Sequence, residues 1–355
     1  MLSFILLKWN DARLIAYLAA DGWKSSCSII ERMSMNLSVL EPSNTSEDHL
    51  LALGAANGFS RSKMVDHFLK KADLVFGIGT SFTISKFIAP IPVGKTLAQV
   101  TIDETDISKD YPTSYGVIGD ARAVLAQMIA EVKGRLGENG RRGDKSVIAE
   151  VQAVKKGYLE EWMPRLTSNE EPINPYRVIW ELMHAVDPTR TVVTHDSGCP
   201  RDQLVPFYEA VVPHGYIGWG KSTPLGSSLG LIMGAKLAKP EWLTINLLGD
   251  AAFGMVGMDF ETAVRNRIPI LTILMNNGVM GGYTKKQPIA SEFYAVDRMS
   301  GDYRKVAEAL GGYAERVEKI KDLRPAIDRA IGQTRSGNPA FLEVITADDP
   351  IYPGG

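Results

Sequence analysis

The stretches LLGDAAF (Leu247–Phe253) and LMNNGV (Leu274–Val279) decide the fold of this chain. In each stretch, a run of apolar residues stops abruptly at a glycine beside a carboxylate or an amide. Between the two stretches, Phe260, Ala263 and Val264 recur at helical spacing. The pattern therefore predicts a strand, a turn, a helix and a second strand.

A right-handed crossover of this kind places the second strand parallel to the first, about 4.8 Å away. Asp250 and Asn277, which are 27 positions apart, then emerge at one carboxyl edge of a sheet, where open α/β sheets bind ligands. Carboxylate, amide and carbonyl oxygens suit Mg²⁺, which keeps phosphate oxygens as further ligands. Gly249 permits a sharp turn, and the small Ala251 and Ala252 let a diphosphate approach backbone amides.

Each motif alone has a plainer interpretation. An aspartate after a strand is often only a helix N-cap, and Asn-Gly is a common turn. The joint arrangement on matching strands favours a site for a metal ion and a diphosphate.

The same alternation of short apolar runs and amphipathic segments continues along the chain, which predicts parallel α/β units. Strands are expected at 1–9, 72–80, 97–103, 191–198, 243–250, 268–278 and 340–346. A helix is expected over 119–136 with Asp120 near its start, and Asn174 is expected to cap a helix that begins at Pro175. We expect two doubly wound, mainly parallel sheet domains at 1–136 and 172–355, joined by a linker and a charged helix at 137–171.

Composition limits the class of protein. The 355 residues suggest about two domains, and a net charge of −2 gives no electrostatic reason to expect nucleic acid or an anionic membrane as a partner. Cys27 and Cys199 lie far apart, which argues against a disulfide framework or a structural zinc site. No apolar run reaches the roughly 18–20 residues of a membrane span. These values are typical of a cytoplasmic globular protein.

The GDA at 249–251 followed by NN at 276–277 resembles the thiamine diphosphate motif. The chain is similar to the pyruvate-decarboxylase-like superfamily and, within it, to the acetolactate-synthase large-subunit type. The resemblance implies thiamine diphosphate and Mg²⁺ as cofactors. It also implies that Asp250, Asn277 and the carbonyl of Val279 are the metal ligands.

Further matches extend the resemblance over most of the chain. The segment VVTHDSG (192–198) resembles the first strand of the family's diphosphate domain, which makes Ser197, Gly198 and Cys199 cofactor candidates. Leu225 stands where the family has the apolar residue that bends the cofactor. The cofactor-binding residues implied in this way are Ser197, Gly198, Cys199, Leu225, Gly249, Asp250, Ala251, Ala252 and Asn277.

Residues 1–136 resemble part of the family's middle domain, some examples of which bind FAD, some ADP and some neither. Gly77 and Gly79 suggest a dinucleotide fingerprint, but Phe82 occupies the place of its third glycine. FAD binding therefore stays open, and a plain nucleotide-binding oxidoreductase is a weaker hypothesis.

Two departures from the family pattern shape the functional expectation. No segment resembles the pyrimidine-binding domain, whose glutamate activates the cofactor, so no catalytic residue is predicted in this chain and the isolated chain is expected to be inactive. Gly282 and Tyr283 replace the family's Met-Val pair, and Lys286 replaces its Trp, which leaves decarboxylation and carboligation equally open.

The resemblance thus implies a lyase or transferase acting on a 2-oxo acid. It also implies a homo-oligomer, or a partner that supplies the pyrimidine-binding domain. The alternative is a non-catalytic module that binds thiamine diphosphate or takes part in assembly.

Overall fold

The computed structural model describes residues 60–84, 90–137, 146–218 and 224–354, and the backbone of three strands at 14–18, 36–39 and 52–55. The strand expected at 1–9 and most of the expected linker, 138–145, lie outside the described residues. The chain divides into two compact units. Unit 1 comprises 1–161, 209–213 and 353–355, and unit 2 comprises 162–208 and 214–352. The domain limits at 136 and 172 stay predictions.

Unit 1 is built on a six-stranded sheet with the order β3-β2-β1-β4-β5-β6, in which every neighbouring pair is parallel. Its strands are β1 (Leu14–Leu18), β2 (Asn36–Val39), β3 (Ala52–Ala55), β4 (Leu74–Ile78), β5 (Thr96–Thr101) and β6 (Tyr115–Ile118). The described helices of this part of the chain are α1 (Lys63–Lys71), α2 (Ala121–Leu136) and α3 (Ser146–Leu166).

Helix α2 forms as its sequence predicts. The carboxylate of Asp120 accepts a hydrogen bond from the backbone N–H of Ala123 at 2.9 Å and so caps the first turn. Leu125, Met128 and Val132 point inward and pack in the core against β4 and β5. The apolar face of α2 therefore holds it on the sheet.

Gly77, near the end of β4, and Gly79, just after it, have reasons unconnected with a dinucleotide. A Cβ atom on Gly77 would lie 2.3 Å from the ring of Phe82, so only glycine leaves room for that buried ring. Gly79 has a φ of +65°, a left-handed conformation that favours glycine. These packing and turn requirements account for both glycines without a bound nucleotide.

Unit 2 is built on a second six-stranded parallel sheet, with the order β11-β12-β10-β9-β7-β8. Its strands are β7 (Thr191–His195), β8 (Tyr216–Ile217), β9 (Leu243–Gly249), β10 (Leu271–Asn276), β11 (Tyr313–Val317) and β12 (Ala340–Ile345). The longer helices are α4 (Pro175–Ala185), α6 (Ser227–Ala238) and α12 (Ile320–Arg335). The shorter helices are α5 (Cys199–Leu204), α7 (Asp250–Val256), α8 (Phe260–Arg265), α9 (Tyr283–Lys286), α10 (Pro288–Tyr294) and α11 (Tyr303–Ala309).

The central strands of unit 2 are covered on both faces. Every residue of β7 is buried, and so is every residue of β10 and β12 except the last. This confirms the expectation drawn from their continuous apolar runs. Helix α4 also begins as predicted. The side chain of Asn174 accepts a hydrogen bond from the N–H of Tyr176 at 2.9 Å, and Pro175 is the first residue of the helix. Unit 2 is thus a doubly covered α/β sheet.

The crossover between β9 and β10 differs in detail from the sequence prediction. Its helix starts at Asp250 itself and is interrupted by a 3₁₀ turn at Gly257–Asp259, so α7 and α8 replace one continuous helix. Gly257 is required there, because a Cβ atom would lie 2.8 Å from the ring of Phe253. Arg267 continues the spacing of Phe260, Ala263 and Val264 in the sequence, but it lies beyond the end of α8 with a φ of +52°.

The glycines at 226, 230 and 234 recur at four-residue spacing, which would form one smooth stripe if all three lay on a helix. Gly226 instead precedes α6 as its N-cap, with a φ of +90°. Cβ atoms on Gly230 and Gly234 would meet no described atom within 4 Å. Within the described residues, no surface makes a close approach to this face of α6. No helix of the described part is both long and apolar enough to cross a membrane.

Candidate functional site

Three neighbouring strands of unit 2 each end at a polar side chain. The strands β10, β9 and β7 lie side by side in the sheet. The residues that directly follow them are Asn277, Asp250 and Asp196, respectively. The register pairs Gly249 with Met275. The prediction that Asp250 and Asn277 emerge together at the carboxyl edge of one parallel sheet is therefore confirmed.

Asp250 joins the two motifs that the sequence singled out. Its carboxylate is only 2% exposed. One oxygen, Oδ1, accepts from the N–H of Ala251 at 2.7 Å, and Oδ2 accepts from the N–H of Gly278 at 2.9 Å. The Gly-Asp turn and the Asn-Asn-Gly turn are thus in direct contact.

The electrostatic setting of Asp250 favours a cation. Burial raises the pKa of its carboxyl, and the nearby carboxylate of Glu343 raises it further, although the N–H groups of Ala251 and Gly278 act in the opposite direction. Within the described part of the chain, no lysine, arginine or histidine forms a salt bridge with Asp250. A bound divalent cation would supply the missing positive charge and stabilise the ionised form.

The Asn-Asn-Gly turn presents oxygens from side chain and backbone. The amide oxygen of Asn277 accepts from the N–H of Val279 at 3.1 Å, and its Nδ2 donates to Asp348 at 3.4 Å. Val279 forms an antiparallel bridge with Arg298. The hydrogen bonds of that bridge use the carbonyl of Gly278 and the N–H of Met280, so the bridge does not engage the Val279 carbonyl.

The possible metal ligands fit a magnesium ion that also binds phosphate oxygens. They comprise one carboxylate, one amide oxygen and one backbone carbonyl, all hard oxygen donors. No group of three or more His, Cys, Asp or Glu side chains in the described residues could hold a metal ion by itself. Mg²⁺ takes six oxygen ligands, so a cation held by these three protein ligands would take its remaining ligands from water or phosphate oxygens. The ligand roles of Asp250, Asn277 and Val279 stay predictions.

Asp196 is a central residue that the sequence reasoning missed. It is fully buried and accepts hydrogen bonds from the N–H groups of Ser197, Gly226 and Ser228 and from the hydroxyl of Ser228, at 2.8–3.2 Å. It therefore ties the loop after β7 to the start of α6. The available signal was the one used at Asp250, a carboxylate directly after a buried strand.

The predicted cofactor loop at 197–199 lies at the same edge. Gly198 has a φ of +88°, and a Cβ atom there would meet no described atom within 4 Å. Cys199 begins α5, and its Sγ lies 3.0 Å from the hydroxyl of Tyr352. A Cβ atom on Gly281 would lie 3.4 Å from that Sγ. The structure thus brings this loop beside the segment that follows the Asn-Asn-Gly turn.

Two other cofactor candidates, Leu225 and Ala252, pack against the core of unit 2. Leu225 is partly buried, packs against the core beneath α6 and precedes Gly226, which Asp196 holds. Ala252 is 1% exposed, and its side chain belongs to the core. The side chain of Ala252 therefore packs in the core, and the N–H of Ala251 is bonded to Asp250. The cofactor roles of Ala251 and Ala252 stay predictions.

His195 ends β7, directly before Asp196. It is fully buried at the end of β7, and burial lowers its pKa to about 3. The imidazole is therefore neutral at physiological pH. A neutral ring inside the sheet suits packing against Tyr216, whose ring centroid is 5.5 Å away.

Comparison with known proteins bears on both halves of the chain. Residues 196–344 match the family model "Thiamine pyrophosphate enzyme, C-terminal TPP binding domain", and residues 38–128 match "Thiamine pyrophosphate enzyme, central domain". Thiamine pyrophosphate and thiamine diphosphate are the same compound. The first match contains all the predicted metal ligands and cofactor residues.

Curated relatives include an acetolactate synthase large subunit of Mycobacterium tuberculosis, 29% identical over 314 residues, which are 86% of this chain and 53% of that protein. The acetolactate synthase isozyme 3 large subunit of Escherichia coli is 25% identical over 86% of this chain and 53% of its own length. Sulfoacetaldehyde acetyltransferase of Alcaligenes xylosoxydans xylosoxydans is 26% identical over 81% of this chain and 52% of its own.

The chain thus spans about half the length of the curated relatives it matches. The two family models cover separate, consecutive parts of it, and the acetolactate synthase large subunits are similar to it over most of its length. The chain belongs to the thiamine pyrophosphate enzymes, of which it carries the central domain and the C-terminal, thiamine-pyrophosphate-binding domain.

Proposed function

We propose that the chain binds thiamine diphosphate together with Mg²⁺ at the carboxyl edge of the unit 2 sheet and serves an enzyme that acts on 2-oxo acids. The observation that carries the proposal is the 2.9 Å hydrogen bond from the Gly278 N–H to Asp250 Oδ2. It joins the Gly-Asp turn and the Asn-Asn-Gly turn, which carry the oxygen atoms that would bind the cation. The match of 196–344 to a thiamine-pyrophosphate-binding domain supports the same cofactor.

In this proposal, Asp250, Asn277 and the carbonyl of Val279 hold the cation, which in turn holds the diphosphate. Gly198 leaves space for the diphosphate beside the start of α5. Leu225 would contact the cofactor as an apolar support, since Asp196 fixes the backbone of the adjacent Gly226. Bound thiamine diphosphate supplies a carbon that accepts electrons when the bond beside a keto group is broken.

The reaction proposed for the whole protein is decarboxylation of a 2-oxo acid, carboligation, or both. Relatives named for acetolactate synthesis and for sulfoacetaldehyde acetyl transfer are about equally similar to the chain, which favours no single acceptor. Gly282, Tyr283 and Lys286 follow the Asn-Asn-Gly turn and are candidates for selecting the acceptor. We also propose a cytoplasmic location and a homo-oligomer, or a partner that supplies the pyrimidine-binding domain.

The test is a calorimetric titration of the 355-residue chain with thiamine diphosphate, with and without Mg²⁺. We expect binding that depends on Mg²⁺ and that Asp250→Ala abolishes. Asp259→Ala is a matched control, because Asp259 is an exposed carboxylate on the same crossover, and it should leave binding unchanged.

Turnover of pyruvate and other 2-oxo acids is then measured on the same sample. Binding without turnover favours the alternative, a non-catalytic module that binds the cofactor or takes part in assembly. If binding does not depend on Mg²⁺ and Asp250→Ala behaves as the unaltered chain does, the proposed site is wrong.

A further inference from the structure

Glu343 is a charged residue in the middle of the apolar strand β12. It is 0% exposed, and its strand lies directly beside β10, where Leu274 pairs with it in register. A buried carboxylate costs free energy unless it is hydrogen-bonded or paired. The contacts that offset this cost show what Glu343 does.

Three groups surround the carboxylate. Oε2 accepts from the N–H of Arg304, at the start of α11, at 2.9 Å. The guanidinium of Arg316 lies 3.7 Å from Oε1. The closest of the three is Asn276, whose side-chain Nδ2 donates to Oε1 at 2.7 Å. Asn276 is the first residue of the Asn-Asn-Gly turn, so Glu343 contacts the candidate site from the neighbouring strand.

The chemistry of the carboxylate fixes which way the Asn276 amide points. Both oxygens of Glu343 accept hydrogen bonds, Oε2 from the N–H of Arg304 and Oε1 from Asn276, so Asn276 presents its NH₂ group to Glu343. Its oxygen, Oδ1, then faces the turn and accepts from the N–H of Gly278 at 3.1 Å. The same N–H donates to Asp250 Oδ2. A continuous series of hydrogen bonds thus runs from Glu343 through Asn276 and Gly278 to Asp250.

We propose that Glu343 is a positioning residue for the Mg²⁺–diphosphate site. By orienting Asn276, it holds the turn so that Asn277 and the carbonyl of Val279 face the cation together with Asp250. The proposal rests on the proposed function and adds to it a residue outside both motifs. Residues that orient metal ligands typically change metal affinity by about 10–100-fold when they are substituted.

Glu343→Gln tests the proposal with little change of size. A glutamine offers both a donor and an acceptor, so it no longer dictates the orientation of the Asn276 amide. At fixed thiamine diphosphate, we expect the Mg²⁺ concentration needed for half-maximal binding in calorimetry to rise about 10-fold or more. At saturating Mg²⁺, the affinity for thiamine diphosphate should return to nearly that of the unaltered chain.

Glu315→Gln is the matched control. Glu315 lies on β11, the next strand outward, and accepts from the hydroxyl of Tyr313 and from Arg329 at 2.8 and 3.1 Å. Its loss should disturb the sheet without reaching the turn, so the Mg²⁺ dependence should stay within about twofold. This comparison separates positioning from a general weakening of the unit.

Two further variants test the link between Glu343 and Asn276 directly, so that the test does not depend on Glu343→Gln alone. Asn276→Ala removes the link, and the double variant with Glu343→Gln should then need no more Mg²⁺ than Asn276→Ala alone, because linked residues are not additive. Hydrogen exchange of the peptide containing Gly278 should quicken in Glu343→Gln and not in Glu315→Gln.

The outcomes distinguish this proposal from the proposed function. If the unaltered chain binds thiamine diphosphate with Mg²⁺ but Glu343→Gln shifts the Mg²⁺ dependence no more than Glu315→Gln does, Glu343 is structural and only this proposal falls. Additive effects in the double variant would overturn it as well. If the unaltered chain shows no binding that depends on Mg²⁺, both fall together.

Discussion

The two sheets of this chain place an aspartate after a strand in contrasting ways. In unit 1, Asp103 follows β5, is exposed, and accepts from the N–H and the hydroxyl of Thr105 at 2.9 and 2.7 Å. These two bonds lower the pKa of its carboxyl. In unit 2, Asp196 and Asp250 are buried and accept from segments about 30 residues further along the chain. The same residue type in the same place thus closes a local turn in one sheet and joins distant loops in the other.

The buried polar groups near these edges differ as well. In unit 1, the side chain of Gln99 donates to the carbonyls of Thr80 and Asp106, both at 2.9 Å, and accepts from the hydroxyl of Thr113 at 3.1 Å. Its donors and its acceptor are therefore satisfied inside the protein. The edge of unit 2 instead collects oxygen atoms around a carboxylate that has no basic partner in the described residues. Burial without a countercharge distinguishes a candidate ligand site from a turn.

The largest effect in this comparison is expected from Asp196→Ala. It removes one acceptor that serves Ser197, Gly226 and Ser228, and leaves their buried donors without a partner. Because each buried donor left unsatisfied costs about 1–3 kcal/mol, we expect the free energy of unfolding of unit 2 to fall by about 3 kcal/mol or more. Hydrogen exchange across peptides of β7 and α6 measures this loss. Asp103→Ala, the unit 1 counterpart, should have a much smaller effect, and equal losses would remove the distinction drawn between the two edges.

A smaller loss is expected from Gln99→Leu in unit 1. Leucine fills a similar volume, but it leaves the carbonyls of Thr80 and Asp106 without their donor. We expect unit 1 to lose about 2–3 kcal/mol, measured by hydrogen exchange over β4 and β5. Binding of thiamine diphosphate with Mg²⁺ should stay within about twofold, because the site belongs to unit 2. A parallel loss of binding would contradict this assignment.

The reactivity of Cys199 tests whether its thiol is buried at the edge of the unit 2 sheet, as the structure has it. Burial raises the pKa of its thiol, so at pH 8 the folded chain holds less thiolate than the unfolded chain. Alkylation of the peptide containing Cys199, followed by mass spectrometry, should be roughly 10-fold slower in the folded chain than in urea. Because the unfolded thiol ionises first, this group also makes stability fall as pH rises above about 8.5. Equal alkylation rates in both states would show that the thiol is not held in this way.

The smallest effect is expected from Asp348→Ala. Its contact with Asn277 Nδ2 is long, at 3.4 Å, and exposed. Removing it should change the Mg²⁺ dependence of thiamine diphosphate binding by less than about twofold, because exposed contacts contribute little. A tenfold change would mean that the segment after β12 takes part in holding Asn277.

Much of the fold was predictable, because its signals are local. Continuous apolar runs mark β7, β9, β10 and β12, and the N-caps Asp120 and Asn174 are the residue types that helix starts require. The pairing of β9 with β10 followed from the handedness of crossovers, which needs no knowledge of the rest of the chain. The position of Asp250 beside the Asn-Asn-Gly turn was therefore within reach of the sequence.

The residues that were missed act over long distances. Nothing near Asp196 in the sequence indicates that it receives the N–H groups of Gly226 and Ser228. Glu343 stands out as a charge in an apolar strand, but its partner Asn276 lies 67 positions earlier. The close approach of the Phe253 ring to Gly257 likewise leaves no mark in a helical pattern. Such features depend on three-dimensional packing, which periodicity alone does not specify.

The register between β9 and β10 has a consequence for how tolerant this chain is of length changes. Asp250 meets Gly278 because Gly249 pairs with Met275, and a slip of one residue would turn every side chain of β10 to the opposite face. The count of 27 residues is only the length of the crossover. We expect extra residues inserted at the exposed turn of Asn266 and Arg267 to be absorbed outside the sheet, whereas one residue added within β10 would separate the two motifs. Engineering of this segment should therefore preserve the strand pairing and treat the crossover length as adjustable.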